Sequence, residues 1–195
     1  QIYRESCRAC KLYGHTRLRG RLSFTDIFPL GEVQTETRYG VAISRLTNAV
    51  AVGPFEMEVL VAGTLTGSLV LENFEVWQLG LIALTLQALN EGLVKVGFGK
   101  NRGLGEVEMK ITRAILETAK VNGMTSSEIW GVGAFVQDED ELQRYGLKAN
   151  DKIVEVPAVA QRDLGVLVRR EYPLAQWQAI AQKSIESLTA LEAQA

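Results

Sequence analysis

The sequence predicts an α+β fold, and three observations carry that prediction. Runs of alternating apolar and polar residues flank one long stretch whose apolar residues recur at helical spacing. Directly after that helix comes a glycine-rich segment, Gly97-Phe98-Gly99-Lys100-Asn101-Arg102-Gly103-Leu104-Gly105, with four of the chain's 18 glycines and two cations. The elements run strand, hairpin, strand, helix, glycine loop, strand. That order is the second half of a split βαβ sandwich of the ferredoxin-like or RRM-like type, without its first β-α unit.

Taken in order, Arg17 to Phe28 reads as a strand with a basic face, Leu18, Leu22 and Phe24 alternating in part with polar residues. Asp26, with no second carboxylate beside it, reads as a turn or strand-end residue. Arg38 to Val61 has the character of a long protruding hairpin. Phe55, Met57 and Val59 point one way and Glu56 and Glu58 the other, while Gly53-Pro54 breaks the pattern. Thr64 to Leu71 follows as a further strand. Asn73 is the expected N-cap of a helix with Glu75 in its first turn. Leu79, Ile82, Leu86, Leu89 and Leu93 form its apolar stripe, and Gly92 is its stop. After the glycine loop, Glu106 to Ile115 is strand-like, with Val107, Met109 and Ile111 on one face.

Beyond about Glu117 the composition changes. Asn122-Gly123 marks a turn, and Asp138 with Glu141 predicts a capping box for a short helix ended by Gly146. The cluster Asp138 to Glu141 is read as a solvated helix start, not a metal site. Ile153 to Val156 and Leu164 to Val168 read as short strands. Pro173 opens a last helix with Leu174, Trp177, Ala181, Ile185 and Leu188 along one side. The expected organisation is a core over 1–116, with a hairpin at about 38–61 and the loop at 97–105, then an α/β C-terminal extension over 117–195.

With 195 residues, 47% of them hydrophobic, the chain has enough apolar surface to bury a core. Its net charge of −2 hides an uneven distribution. Arg4, Arg8, Lys11, Arg17, Arg19 and Arg21 face only Glu5 at the front, so a polyanion would meet that region and the glycine loop. No apolar run is long enough to span a membrane, nothing resembles a signal peptide, and a reducing cytoplasm suits the two cysteines. The start at Gln1, without an initiator methionine, raises the expectation of upstream sequence. Cys7-Arg8-Ala9-Cys10 can supply two corners of a tetrahedral zinc site, with no second pair in view. A structural zinc, simple buried thiols and redox chemistry are the three readings of this pair.

Glycine permits positive φ and brings backbone N–H groups close to an anion, and Arg102 can grip a phosphate through two parallel hydrogen bonds. A dinucleotide fingerprint needs strand-loop-helix order, which is reversed here. A Walker loop needs glycine where Val94 stands, and a Ser or Thr after the lysine. Nucleic acid is the better functional candidate, against a connector that binds nothing.

These pieces together resemble the RAMP superfamily, the backbone subunits of type III CRISPR interference complexes. Cys10-Lys-Leu-Tyr-Gly14 and Arg19-Gly-Arg-Leu-Ser-Phe-Thr-Asp26 are similar to its "C-x-L-F-G … R-L-x-F-x-D" segment. Arg38 to Thr47 resembles its "G-V-x-I-D-R-x-T-G" hairpin, Val61-Ala-Gly-Thr64 its "P-A-G-T" step, and Leu71-Glu-Asn73 its "L-E-N". Gly97 to Gly105 resembles its "G-G-x-x-S-R-G-x-G" loop. Ile129-Trp-Gly-Val-Gly133 and Arg144-Tyr-Gly-Leu147 are similar to C-terminal regions of III-D-like members.

The resemblance implies a subunit that holds guide CRISPR RNA, recognises complementary target RNA, and assembles with other RAMP subunits in a prokaryotic cytoplasm. Gly99, Lys100, Asn101, Arg102 and Gly103 would lie against the guide backbone. Ser44, Arg45 and Thr47 would belong to the base of the hairpin, the family's thumb. Relatives with a zinc finger beside the C-x-x-C favour zinc at Cys7 and Cys10. Ser44 stands where the family has Asp, Asn48 where Gly follows Thr, and Asn101 where Ser precedes Arg102. The family's cleaving Asp belongs to the first β-α unit, so no catalytic residue is assigned. The chain as part of an active endoribonuclease is one alternative reading. A stand-alone nucleotide-binding enzyme built on the glycine loop is the other.

Overall fold

The computed structural model describes residues 2–193, apart from the side chain of Glu192; Gln1, on which the expectation of an upstream segment rests, lies outside them. The chain is a mixed α+β structure with small antiparallel sheets. By compactness it divides into two units, Gln1–Arg21 with Glu72–Ala195, and Leu22–Leu71.

The larger unit begins with two short helices, α1 (Ile2–Glu5) and α2 (Arg8–Tyr13), and a tight hairpin of β1 (Gly14–His15) with β2 (Leu18–Arg19). Gly20 then lies so near Tyr13 that a Cβ would stand 2.5 Å from the Tyr13 carbonyl oxygen. This close approach, together with the turn at Thr16-Arg17, breaks the single strand expected over Arg17 to Phe28 into separate pieces.

The smaller unit is all strand: β3 (Leu22–Phe24), β4 (Phe28–Pro29), β5 (Gln34–Ile43), β6 (Val50–Ala62), β7 (Leu65–Thr66) and β8 (Leu69–Leu71). Its pairs are nested and antiparallel, β3 with β8, β4 with β7 and β5 with β6, so it forms one long two-stranded ribbon. The strand expected over Thr64 to Leu71 is thus two short ones, parted at Gly67, where a Cβ would stand 2.8 Å from Ile27. Phe55, Met57 and Val59 are half-buried and Glu56 and Glu58 exposed, as the alternation predicts. The register slips around Gly40 and Ala42, opposite the expected break near Gly53-Pro54.

The larger unit resumes with α3 (Val76–Asn90). Its N-cap is Glu75, not Asn73. The Gln78 side chain accepts the Glu75 N–H at 3.0 Å, and Asn73 instead takes a left-handed turn, φ 48°. Asn is one of the few non-glycine residues suited to that conformation, which is why it resembles a cap in sequence. Gly92, φ 70°, stops the helix as predicted. Its N–H reaches the Leu89 carbonyl at 3.0 Å and the Leu93 N–H reaches Ala88 at 2.9 Å, the Schellman arrangement. Ile82, Leu86 and Leu89 are buried, but Leu93 falls past the stop and is exposed.

After the glycine loop, the expected strand from Glu106 begins only at Arg113: β9 spans Arg113–Ala119. Residues 106–112 alternate in burial yet make no strand pairing among the described residues. The Asn90 side chain serves their backbone instead, donating to the Met109 carbonyl at 2.9 Å and accepting its N–H at 2.7 Å. Next come β10 (Ile129–Trp130), α4 (Val132–Phe135), α5 (Glu139–Tyr145), β11 (Lys152–Ile153), β12 (Ala160–Asp163), β13 (Leu167–Pro173) and α6 (Leu174–Glu192). Asp138 caps α5 by accepting the Asp140 N–H, rather than through the capping box expected with Glu141, and Gly146 ends the helix as the sequence predicts. Strands order as β12-β13-β9, and β10 pairs with β11.

The core of the larger unit joins Val76 of α3, Ile129, Ile153, Val156, Tyr172 of β13 and Ile180 of α6. Helix α6 packs on α3, so the C-terminal segment is seated on the core of its own chain. The two backbones come very near: a Cβ on Gly80 would sit 2.4 Å from the Ser184 carbonyl oxygen. At the start of α3 a buried polar cluster holds the N-terminal segment. The Tyr3 hydroxyl donates to Glu75, Arg21 stacks 4.1 Å from the Tyr3 ring centre, and Asp151 accepts the Val76 N–H at 2.9 Å. Burial, reinforced by the charge of Glu75, pushes Asp151 up to about 6.

Two outcomes are expected. Helix propensity alone would make Gly80→Ala stabilising by up to about 1 kcal/mol. We expect the opposite sign, a loss of about 1–3 kcal/mol from overpacking, seen as a lower melting temperature; a rise would contradict the helix contact. Asp151 has a folded pKa above its ordinary value, so it binds a proton in the native state that the unfolded chain has released. Its stability contribution is greatest below about pH 4 and is lost as pH rises through about 6. Thermal melts of Asp151→Asn should therefore lack that part of the decline between pH 4 and 7 seen in the unaltered chain.

Candidate nucleic-acid interface

The glycine loop belongs to the larger unit and is shaped by backbone conformations that glycine alone adopts freely. Gly97, Gly99, Gly103 and Gly105 all have positive φ, at 76°, 71°, 82° and 88°. Two contacts close its neck and pin its interior. The Val96 N–H donates to the Gly105 carbonyl at 2.9 Å, and a Cβ on Gly105 would stand 2.1 Å from the Val96 oxygen. Inside, the Gly99 carbonyl accepts the N–H groups of Arg102 at 2.8 Å and Leu104 at 3.3 Å, winding Lys100–Arg102 into one 3-10 turn. Leu104 folds inward, within 2.9 Å of where a Gly99 Cβ would be.

Lys100, Asn101 and Arg102 are consequently exposed on one short turn, bracketed by Gly99 and Gly103 in left-handed conformation. Lys95 at the neck faces Glu106 at 3.9 Å, a half-exposed pairing that leaves the turn itself to Lys100 and Arg102. The arrangement presents two cations and an amide on a preformed scaffold, which suits phosphate oxygens. Sequence reasoning passed over Phe98. It lies within the motif, 73% exposed and two residues before Lys100 in the chain. Its signal was available, since an aromatic between two glycines has no helix or strand to pack into.

Ser44, Arg45 and Thr47 belong to the smaller unit and lie at the tip of the β5–β6 hairpin, not at its base. The correction follows from length: paired residues run out to Ile43 and Val50, so 44–49 is the turn. Ser44 organises it. Its Oγ accepts the N–H groups of Leu46 and Thr47, each at 3.3 Å, and its main chain bonds Ala49 and Asn48, both at 2.9 Å. Asn48 has φ 53°, which explains Asn at a position where the family pattern has Gly. Arg45 is exposed, and Leu46 at 97% is almost wholly in solvent.

Cys7 and Cys10 stand one turn apart on α2. Cys7 is the N-cap, its sulfur accepting the Cys10 N–H at 3.4 Å, and this bond pulls the Cys7 thiol below its usual range. A separate hydrogen bond of the Cys10 thiol with Cys7 pushes Cys10 up. Cys7 is exposed and Cys10 half-buried, so the fully buried reading does not describe them. Among the described residues no group of three or more His, Cys, Asp or Glu is placed to hold a metal ion. His15, the single histidine, contacts Ser6 at 3.2 Å and accepts the Arg17 N–H. Asp26 is exposed. Among the described residues no helix is long and apolar enough to cross a membrane.

No curated protein matches the chain. A family model does: that of the RAMP superfamily matches residues 1–108, a span that takes in the cysteine pair, the ribbon, α3 and the whole glycine loop. The chain therefore belongs to the RAMP superfamily, the repeat-associated mysterious proteins associated with CRISPR.

Proposed function

We propose that the chain is a guide-RNA-binding backbone subunit of a type III, III-D-like CRISPR effector complex, acting on complementary target RNA beside other RAMP subunits. The observation that carries this reading is the hydrogen-bonded turn Gly99 to Gly103, which exposes Lys100, Asn101 and Arg102 above a closed glycine neck. Backbone amides and cations on such a turn bind phosphates without reading bases, the requirement for holding a guide of any sequence. The exposed hairpin tip with Ser44, Arg45, Leu46 and Thr47 supplies a second contact to the nucleic acid. The mixed α+β architecture with small antiparallel sheets is consistent with a RAMP domain, for which a ferredoxin-like or RRM-like core is the proposed type.

Cys7 and Cys10 fit two corners of a structural zinc site. Cys7 favours the thiolate that zinc needs, and both sulfurs sit on one helical turn. The remaining ligands would come from groups outside this pair. Zinc there would brace α2 and supply no chemistry to the RNA.

Binding of a labelled single-stranded RNA should fall steeply with salt. Arg102→Ala should weaken it at every sequence and lower the log–log salt slope by about 0.7. An unchanged affinity and slope would overturn the loop assignment. Zinc content, measured by metal analysis of the purified chain, should be lost in Cys7→Ser; equal content in both proteins would remove the zinc reading.

A further inference from the structure

The glycine loop carries two apolar side chains, and the fold treats them in opposite ways. Leu104 turns inward and fills the space beside Gly99. Phe98 is turned out, 73% exposed, between Gly97 and Gly99. Apart from its chain neighbours, nothing lies within 4 Å of where a Gly97 Cβ would be, so the backbone just before the ring is itself open. Burying a phenylalanine ordinarily stabilises a fold by about 1.5–3 kcal/mol, and the loop forgoes that while holding the ring on a pinned backbone. The ring stands two residues from Lys100 and four from Arg102, both exposed on the adjoining turn. A flat π face beside two cations is the combination that takes an unstacked base together with its flanking phosphates.

We propose that the loop seats one unpaired nucleotide, its base stacked on Phe98 and its neighbouring phosphates on Lys100 and Arg102. This rests on the RNA-binding reading and adds a substrate class to it: single-stranded RNA with a base free to stack, in preference to duplex. Phosphate contacts alone would give no such preference. Stacking is tolerant of base identity, so the site remains sequence-independent.

The test is equilibrium binding of a fluorescein-labelled single-stranded RNA, the same RNA as a blunt duplex, and a single-stranded version with abasic nucleotides throughout. Phe98→Ala should lower affinity for the single strand roughly ten-fold with an unchanged salt slope, and Phe98→Trp should restore it. The abasic strand should bind the unaltered chain and Phe98→Ala equally. Lys100→Ala with Arg102→Ala should weaken all three probes and lower the slope. If that double variant loses binding while Phe98→Ala does not, the stacking proposal is overturned and the RNA reading stands. Equal affinity of the unaltered chain for single strand and duplex overturns the stated preference. If the unaltered chain binds none of the probes, both fall.

Discussion

The larger unit depends on one close approach, that of the α3 backbone to α6 at Gly80 and Ser184. Only without a Cβ at that point do the helices come near enough for Val76, Ile180 and Tyr172 to share a core with Ile129 and Ile153. The contact joins the family-matched region to residues beyond it, since α3 lies within 1–108 and α6 outside. It also fixes the frame from which the glycine loop starts. Helix α3 ends in a Schellman turn at Gly92, and the loop begins five residues later.

What the sequence made legible were elements whose cause is local. The stripe of α3, the stop at Gly92, the cap at Asp138 and the α6 start after Pro173 follow from side-chain period and cap chemistry. So did the hairpin and the left-handed glycines of the loop. What escaped was decided at a distance. The strand expected from Glu106 has the right alternation, but Asn90 serves its backbone, and β9 is fixed by pairing with β13 some fifty residues on. Asn73 and Glu75 compete for the same cap, and a side chain at Gln78 settles it. The glycine loop could be named from its residues, whereas the outward turn of Phe98 required the fold.

The smaller unit follows a different logic. Among the described residues none from 22 to 71 is buried, and Phe28, Leu30, Tyr39, Val41 and Leu46 are exposed. A two-stranded ribbon has no second layer on which to bury them, and such ribbons are marginal alone in water. Its order comes from nested pairing, from the half-buried row of Phe55, Met57 and Val59, and from the hydrogen-bonded tip around Ser44.

The neck between Val96 and Gly105 has a consequence for how this protein can change over evolutionary time. Because the two ends of the loop are tied to each other, the residues between them are mechanically insulated from the helix before and the chain after. Lys100 and Asn101 are exposed within that closed frame, so their side chains set the chemistry that the turn offers to solvent. The loop is in this sense an exchangeable cassette, and the four glycines are the fixed frame into which different contact residues are set.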